Sequence, residues 1–185
     1  MRLVVGLLLT ASLLEAQLHV GLKGGVPLAD LTETVKAPSY RNLPPRWTLG
    51  LMVDVELPLR LGIDVDALYR RAGYEYPARV PLGTPPATSR VKEGFWDFPV
   101  IAKYRFGEGA LRPYVGAGWS YRKLSDLLRP GSGSSGFTVA AGFTVRALAV
   151  RLAPELRYTR WTGADGPFTF RAARNQAELL VGFSF

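Results

Sequence analysis

The chain has 185 residues, 48% of them hydrophobic, with a formal net charge of +8 and no cysteine. That length fits one domain, and the lack of cysteine excludes both a disulfide framework and a thiolate metal site. The excess of Lys and Arg raises the question of nucleic acid, but no recognition motif supports such a partner, and the first residues point to export instead.

Residues 1–16, MRLVVGLLLTASLLEA, place Arg2 before an apolar run from Leu3 to Leu14 and a small residue at Ala16. This is the pattern of a secretory signal peptide, with cleavage expected after Ala16 and a mature chain starting at Gln17. The run is shorter than the ~20 apolar residues of a membrane-spanning helix. The remainder, 17–185, reads as one domain with no helical repeat.

From Gln17 onward, apolar and polar residues alternate with a period of two, the mark of strands whose two faces meet different surroundings. Eight strands are expected, at 17–28, 46–57, 61–74, 92–106, 110–123, 135–146, 148–161 and 174–185. Their connections alternate in length. Pro58-Leu59-Arg60, Gly107-Glu108-Gly109 and the Arg146-Ala147 corner are tight, whereas 29–45, 75–91, 124–134 and 162–173 are long and rich in Pro, Gly, Ser and Thr. An up-and-down meander therefore has its short turns at one end and its long loops at the other. The last segment, NQAELLVGFSF, puts Ala177, Leu179, Val181, Phe183 and Phe185 on one face and is expected to close the sheet against the first strand.

Alternation alone allows two eight-stranded barrels. A soluble lipocalin-like ligand binder turns its apolar face inward, and a membrane barrel turns it outward. The polar face favours the second. It mixes Lys23, Asp54, Asp64, Asp66, Asp97, Lys103, Arg105, Arg151, Glu155 and Glu178 with Gly21, Gly25, Gly62, Gly116, Gly118 and Gly142, and small residues in a narrow lumen make room for long ones. The other face carries Leu49, Leu51, Val53 and Val55, then Leu61, Ile63 and Val65, with Trp47, Tyr69, Trp96, Tyr104, Phe106, Trp119, Tyr121 and Tyr158 towards strand ends. Aromatics at that height suit the two membrane interfaces. The expected fold is all-β: an eight-stranded antiparallel up-and-down transmembrane β-barrel.

FWDFPVIAKYRF (95–106), RPYVGAGWSY (112–121), APELRYTRW (153–161) and the terminal VGFSF resemble, in order and spacing, the strand patterns of small bacterial outer-membrane β-barrel proteins. These form the OmpA/OmpX-like outer-membrane β-barrel domain family. The resemblance covers essentially all of 17–185. It implies a place in the bacterial outer membrane, contact with its lipid, and a role for Phe183 and Phe185 as the terminal signal read by the barrel assembly machinery. Pro99 matches the family's proline position. Pro99, Pro113 and Pro154 each remove a ladder donor and are expected to mark local bulges.

Enzymatic chemistry finds no support: His19 is the only histidine, and no nucleophile is placed beside it. No catalytic residue, cofactor or metal is expected. Asp54, Glu56, Asp64 and Asp66 gather across the Pro58 turn, with Asp54 opposite Asp64. Such acids suit a hard cation, but pairing with lumenal cations is the preferred reading. The expected lumen charge network is Lys23, Asp54, Glu56, Asp64, Asp66, Asp97, Lys103, Arg105, Arg151, Glu155 and Glu178. It suggests a largely plugged interior and a structural or surface-interaction role. A narrow or gated pore for small solutes or ions is the alternative, and the soluble binder a second one. At the long-loop end, Arg70, Arg71, Arg122 and Arg160 are expected on the outer rim, meeting the phosphates of anionic glycolipid.

Overall fold

A computed structural model of the chain describes residues 17–28, 32–34, 41–43, 47–77, 88–124, 133–147, 150–162, 170–172 and 174–185. The expected signal peptide, 1–16, lies outside them. The alternating segments form β1 (Gln17–Pro27), β2 (Thr48–Glu56), β3 (Leu61–Pro77), β4 (Thr88–Arg105), β5 (Leu111–Leu124), β6 (Gly133–Ala147), β7 (Val150–Thr162) and β8 (Asn175–Ser184). Each strand pairs antiparallel with its chain neighbour. β8 returns to β1 from Gly21↔Ser184 to Pro27↔Glu178, so the barrel closes, as expected from the terminal alternation.

The sidedness excludes the soluble alternative. Leu49, Leu51, Val100, Val115, Leu156, Leu179 and Val181 are exposed on the outside, while Lys23, Asp64, Asp97, Lys103, Glu155 and Glu178 are buried within. A water-soluble barrel would reverse the two. The shortest barrel strand, β2, has 9 residues, which matches the ~9–11 that a tilted strand needs to cross a bilayer.

Two of the long connections contain more order than loops would. Thr32–Thr34 pairs with Phe170–Ala172, and Arg41–Leu43 adds to β3 at Gly73–Glu75. β3 and β4 stay paired as far as Pro77↔Thr88, whereas β2 leaves β3 at Thr48↔Arg70. The β3–β4 hairpin therefore projects beyond the barrel wall at the long-loop end.

At the other end the turns are tight. Leu59 and Arg60 both have positive φ, 63° and 65°, within the three-residue turn Pro58-Leu59-Arg60, and Asp54 falls opposite Asp64 as that turn length predicts. Arg146 and Ala147 still pair, with Arg151 and Val150, so they belong to the strand rather than to the expected Arg146-Ala147 corner.

The expected proline bulges are absent. Register is constant along every barrel ladder, and pairing simply lapses beside Pro99 on the β3 side and beside Pro154 on the β6 side. Pro113 stays paired with Phe143, and its carbonyl accepts from the Phe106 amide at 2.7 Å. The residues of an antiparallel strand alternate in the side to which they direct their hydrogen bonds. A missing donor thus costs a bond on one side without needing an extra residue.

Inward glycines let this small barrel curve and fill. A Cβ at Gly50 would overlap the Ala67 carbonyl oxygen, and one at Gly118 the Val100 carbonyl oxygen. Elsewhere the vacant volume is taken by a neighbour: Arg105 lies over Gly62, Tyr114 over Gly142 and Met52 over Gly182. We expect Gly118→Ala to lower the free energy of unfolding by about 1–3 kcal/mol, the usual cost of overpacking. Ala117→Val, one residue away on the outer face, should stay within about 0.5 kcal/mol of the parent. Urea titration of the folded barrel in detergent, read by heat-modifiable gel mobility, compares the two.

Candidate functional site

Side chains entering the lumen form three tiers. The central tier holds Lys23, Lys103 and Arg157 against Asp64, Asp66 and Glu155, with side-chain exposures of 0–2%. Lys23 Nζ donates to Asp64 Oδ2 at 2.6 Å and to Asp66 Oδ2 at 2.9 Å. Lys103 Nζ lies 2.9 Å from Asp64 Oδ2 and 3.4 Å from Glu155 Oε2. Arg157 on β7 donates to Asp66 on β3 at 2.7 Å, and through Nε to Glu155 at 2.8 Å. β3 and β7 are diametrically opposite, so that bond spans the barrel. The Tyr114 hydroxyl donates to Glu155 at 2.7 Å, while its ring lies 4.4 Å from the Lys103 ammonium.

Towards the long loops, Arg70 and Arg122 face Asp97 and Glu178. Arg70 Nη1 donates to Glu178 at 2.6 Å, and its Nη2 is 2.7 Å from Asp97. Arg122 grips Asp97 through two bonds of 2.7 and 2.8 Å and donates to Gln176 at 2.6 Å. Its guanidinium also lies 4.0 Å from the Trp161 ring centroid, and Trp161 Nε1 donates to Gln176 at 3.0 Å. Ser120, Thr138 and Thr159 add a chain of hydroxyl contacts at 2.5 and 3.0 Å. Met52, Leu68, Ile101 and Leu180, none more than 2% exposed, fill the space between tiers.

The short-turn end is organised differently. Glu56 accepts from Arg112 at 2.7 Å, from Arg146 at 3.0 Å and from Arg151 at 2.5 Å. Arg105 pairs with Asp54 and lies 3.9 Å from Glu56. This tier is partly open: Arg146 is 35% exposed and Glu56 14%. His19 Nδ1 sits 3.2 Å from the Phe185 carbonyl oxygen, with no nucleophile bonded to it among the described residues. The four acids flanking the Pro58 turn do not form one site. Asp64 and Asp66 join the central tier and Asp54 and Glu56 the lower one, and among the described residues no group of acids is arranged to hold a metal ion.

Two of the four arginines expected on the rim are inside. Arg70 is 1% exposed and Arg122 5%, because Arg70 has the same phase as Asp64 and Asp66, and Arg122 the same phase as Ser120. Arg71 and Arg160, one residue out of phase with their lumenal neighbours, do face outward. Arg71 lies 6.0 Å over the Tyr69 ring, and its Nε donates to the Tyr69 hydroxyl at 3.1 Å. Tyr69 in turn stands between Trp47 and Trp96, at 6.3 and 5.2 Å. Lys123, also exposed, is opposite Trp96 in the ladder. At the other end Phe183 and Phe185 point outward with ring centroids 5.1 Å apart.

The sequence reading did not include Arg70, Arg122, Arg146, Trp161 or Gln176 in the lumen network, whereas Arg112 and Arg157 were among the cations it placed within reach of the lumenal acids. Phase was the available signal, since each sits an even number of residues from a lumenal residue on its own strand.

The chain is similar in structure to Neisserial surface protein A (NspA), with a TM-score of 0.54 at 18% identity over 91% of this chain and 97% of that one. It also matches the N-terminal β-barrel domain of Pseudomonas aeruginosa OprF, with a TM-score of 0.43 at 16% identity over 92% and 100%. Among curated proteins none matches the chain significantly in sequence. The family model of the outer membrane protein beta-barrel domain matches residues 3–171. With its apolar exterior and closed eight-stranded sheet, the chain belongs to that outer-membrane β-barrel family and resides in the bacterial outer membrane.

Proposed function

We propose that this outer-membrane barrel is a non-enzymatic, non-conducting protein that acts through its outer surface. The observation carrying this reading is the central tier, whose six charges are at most 2% exposed and are tied across opposite walls by Arg157 and Asp66. An eight-stranded barrel has an interior only wide enough for side chains to fill. Ion pairs this enclosed, in an interior that also buries Ile101 and Leu180 completely, support a lumen closed to water at that level. Function then falls to the outer rim and the projecting β3–β4 hairpin.

At that rim Arg71, Lys123 and Arg160 face outward beside Tyr69, Trp96 and Tyr158. Interfacial aromatics fix a barrel's depth, and guanidinium groups bind phosphate through paired, charge-assisted hydrogen bonds. The rim therefore fits the phosphate groups of anionic glycolipid in the outer leaflet. Phe183 and Phe185, exposed at the end of the closing strand, suit the terminal signal for the assembly machinery. The charge lining also favours a second reading, a narrow pore gated by the same pairs.

In planar bilayers the wild-type barrel should show no steady conductance, and Arg157→Ala should give transient openings, because it removes volume and leaves Asp66 and Glu155 short of a counter-charge. A large, stable pore in the wild type would refute the closed reading in favour of the second. The rim is tested separately. Arg71→Gln/Lys123→Gln/Arg160→Gln should retain less anionic glycolipid on purification, with the wild type losing it as salt rises. Equal retention by the folded triple variant would leave the rim without that role.

A further inference from the structure

The three tiers differ in charge balance. Among the described residues, Lys23, Lys103 and Arg157 meet three carboxylates in the centre, and Arg70 and Arg122 meet two above them. In the short-turn tier Arg105, Arg112, Arg146 and Arg151 face only Asp54 and Glu56. Two positive charges are left over. Buried donors there also lack acceptors: Nε of Arg105, Arg112 and Arg146 are enclosed without a hydrogen-bond partner.

The tier is open in one direction only. Arg146 is 35% exposed towards the mouth, whereas Lys23 and Asp64 above it are at most 1% exposed. Short turns mark the periplasmic end of such barrels, so a ligand would enter from the periplasm and stop beneath the central tier. Excess charge of two, several free N–H donors and planar guanidinium forks together match a tetrahedral oxyanion better than a second carboxylate.

We propose that the periplasmic mouth of the lumen binds a phosphoryl oxyanion through Arg112, Arg146 and Arg151, with Glu56 as the internal anion that competes for the same guanidinium groups. The phosphoryl group is that of free inorganic phosphate or of a phospholipid head at the inner rim. This site is separate from the outer-rim reading and survives its failure; only the stop beneath the central tier rests on the closed lumen, not the excess charge at the mouth.

The competitor supplies the test. The Arg Nε–Hε signals of the folded, isotope-labelled barrel in zwitterionic nanodiscs are followed by NMR as inorganic phosphate is added, with ionic strength held constant by chloride. Saturable shifts of the mouth arginines are expected. Glu56→Gln should tighten binding about tenfold by removing a like charge, and Arg146→Gln, at the most exposed of the arginines, should weaken it about tenfold. If phosphatidylglycerol nanodiscs produce the same shifts without phosphate and block its effect, the lipid head is the source; indifference to the lipid assigns the free ion. Absence of saturable shifts in both the folded wild type and folded Glu56→Gln, or equal shifts with chloride alone, would overturn the proposal.

Discussion

Charged side chains enclosed by eight strands have no bulk water to solvate them, and in the two closed tiers each finds a counter-charge on another strand. That pairing orders the interior of this protein. Arg157 reaches from β7 to Asp66 on β3, Arg70 from β3 to Glu178 on β8, and Arg146 from β6 to Glu56 on β2. Removing one partner of a buried pair typically costs ~3–5 kcal/mol, although well-packed apolar replacements for both can be neutral. The network is therefore better understood as a specifier than as a source of net stability. A one-residue slip in any strand would turn its lumenal charges into lipid, at about 2–4 kcal/mol for each Lys or Arg near the midplane. Alternation and pairing together fix the register.

The lumen could not hold so many long side chains without its glycines. Arg105 occupies the space over Gly62, Tyr114 that over Gly142, and Met52 that over Gly182. Gly50 and Gly118 serve curvature instead, allowing the neighbouring carbonyls of Ala67 and Val100 to approach. Charge and smallness thus share the inner face for linked reasons: one provides the ties, the other the room. The prolines fit the same economy, since Pro99 and Pro154 each interrupt one ladder locally and leave its register unchanged.

Much of this was legible in the chain because period-two alternation is a local signal. The eight strands, the closing role of the last one and the inward course of Lys23, Asp64, Asp97, Lys103 and Glu155 all follow from it. Arg70 and Arg122 were misplaced because distance from the nearest loop was weighted above phase, although Arg70 alternates in step with Asp66. Which charges meet was not legible. The gathering of Arg112, Arg146 and Arg151 on Glu56 depends on the stagger between strands on opposite walls, which no single strand encodes. The pairing of Thr32–Thr34 with Phe170–Ala172 was equally hidden, because three-residue strands carry too little alternation to register.

The tie between opposite walls is the feature on which the closed, register-locked interior most directly rests. A double-mutant cycle on Asp66 and Arg157, using Asp66→Asn, Arg157→Met and the pair together, measures it by urea unfolding in detergent. Coupling of at least about 1 kcal/mol is predicted, with the double variant more stable than the two single losses imply. Losses that add to within about 0.5 kcal/mol would mean that the two side chains do not interact across the lumen, contradicting the account.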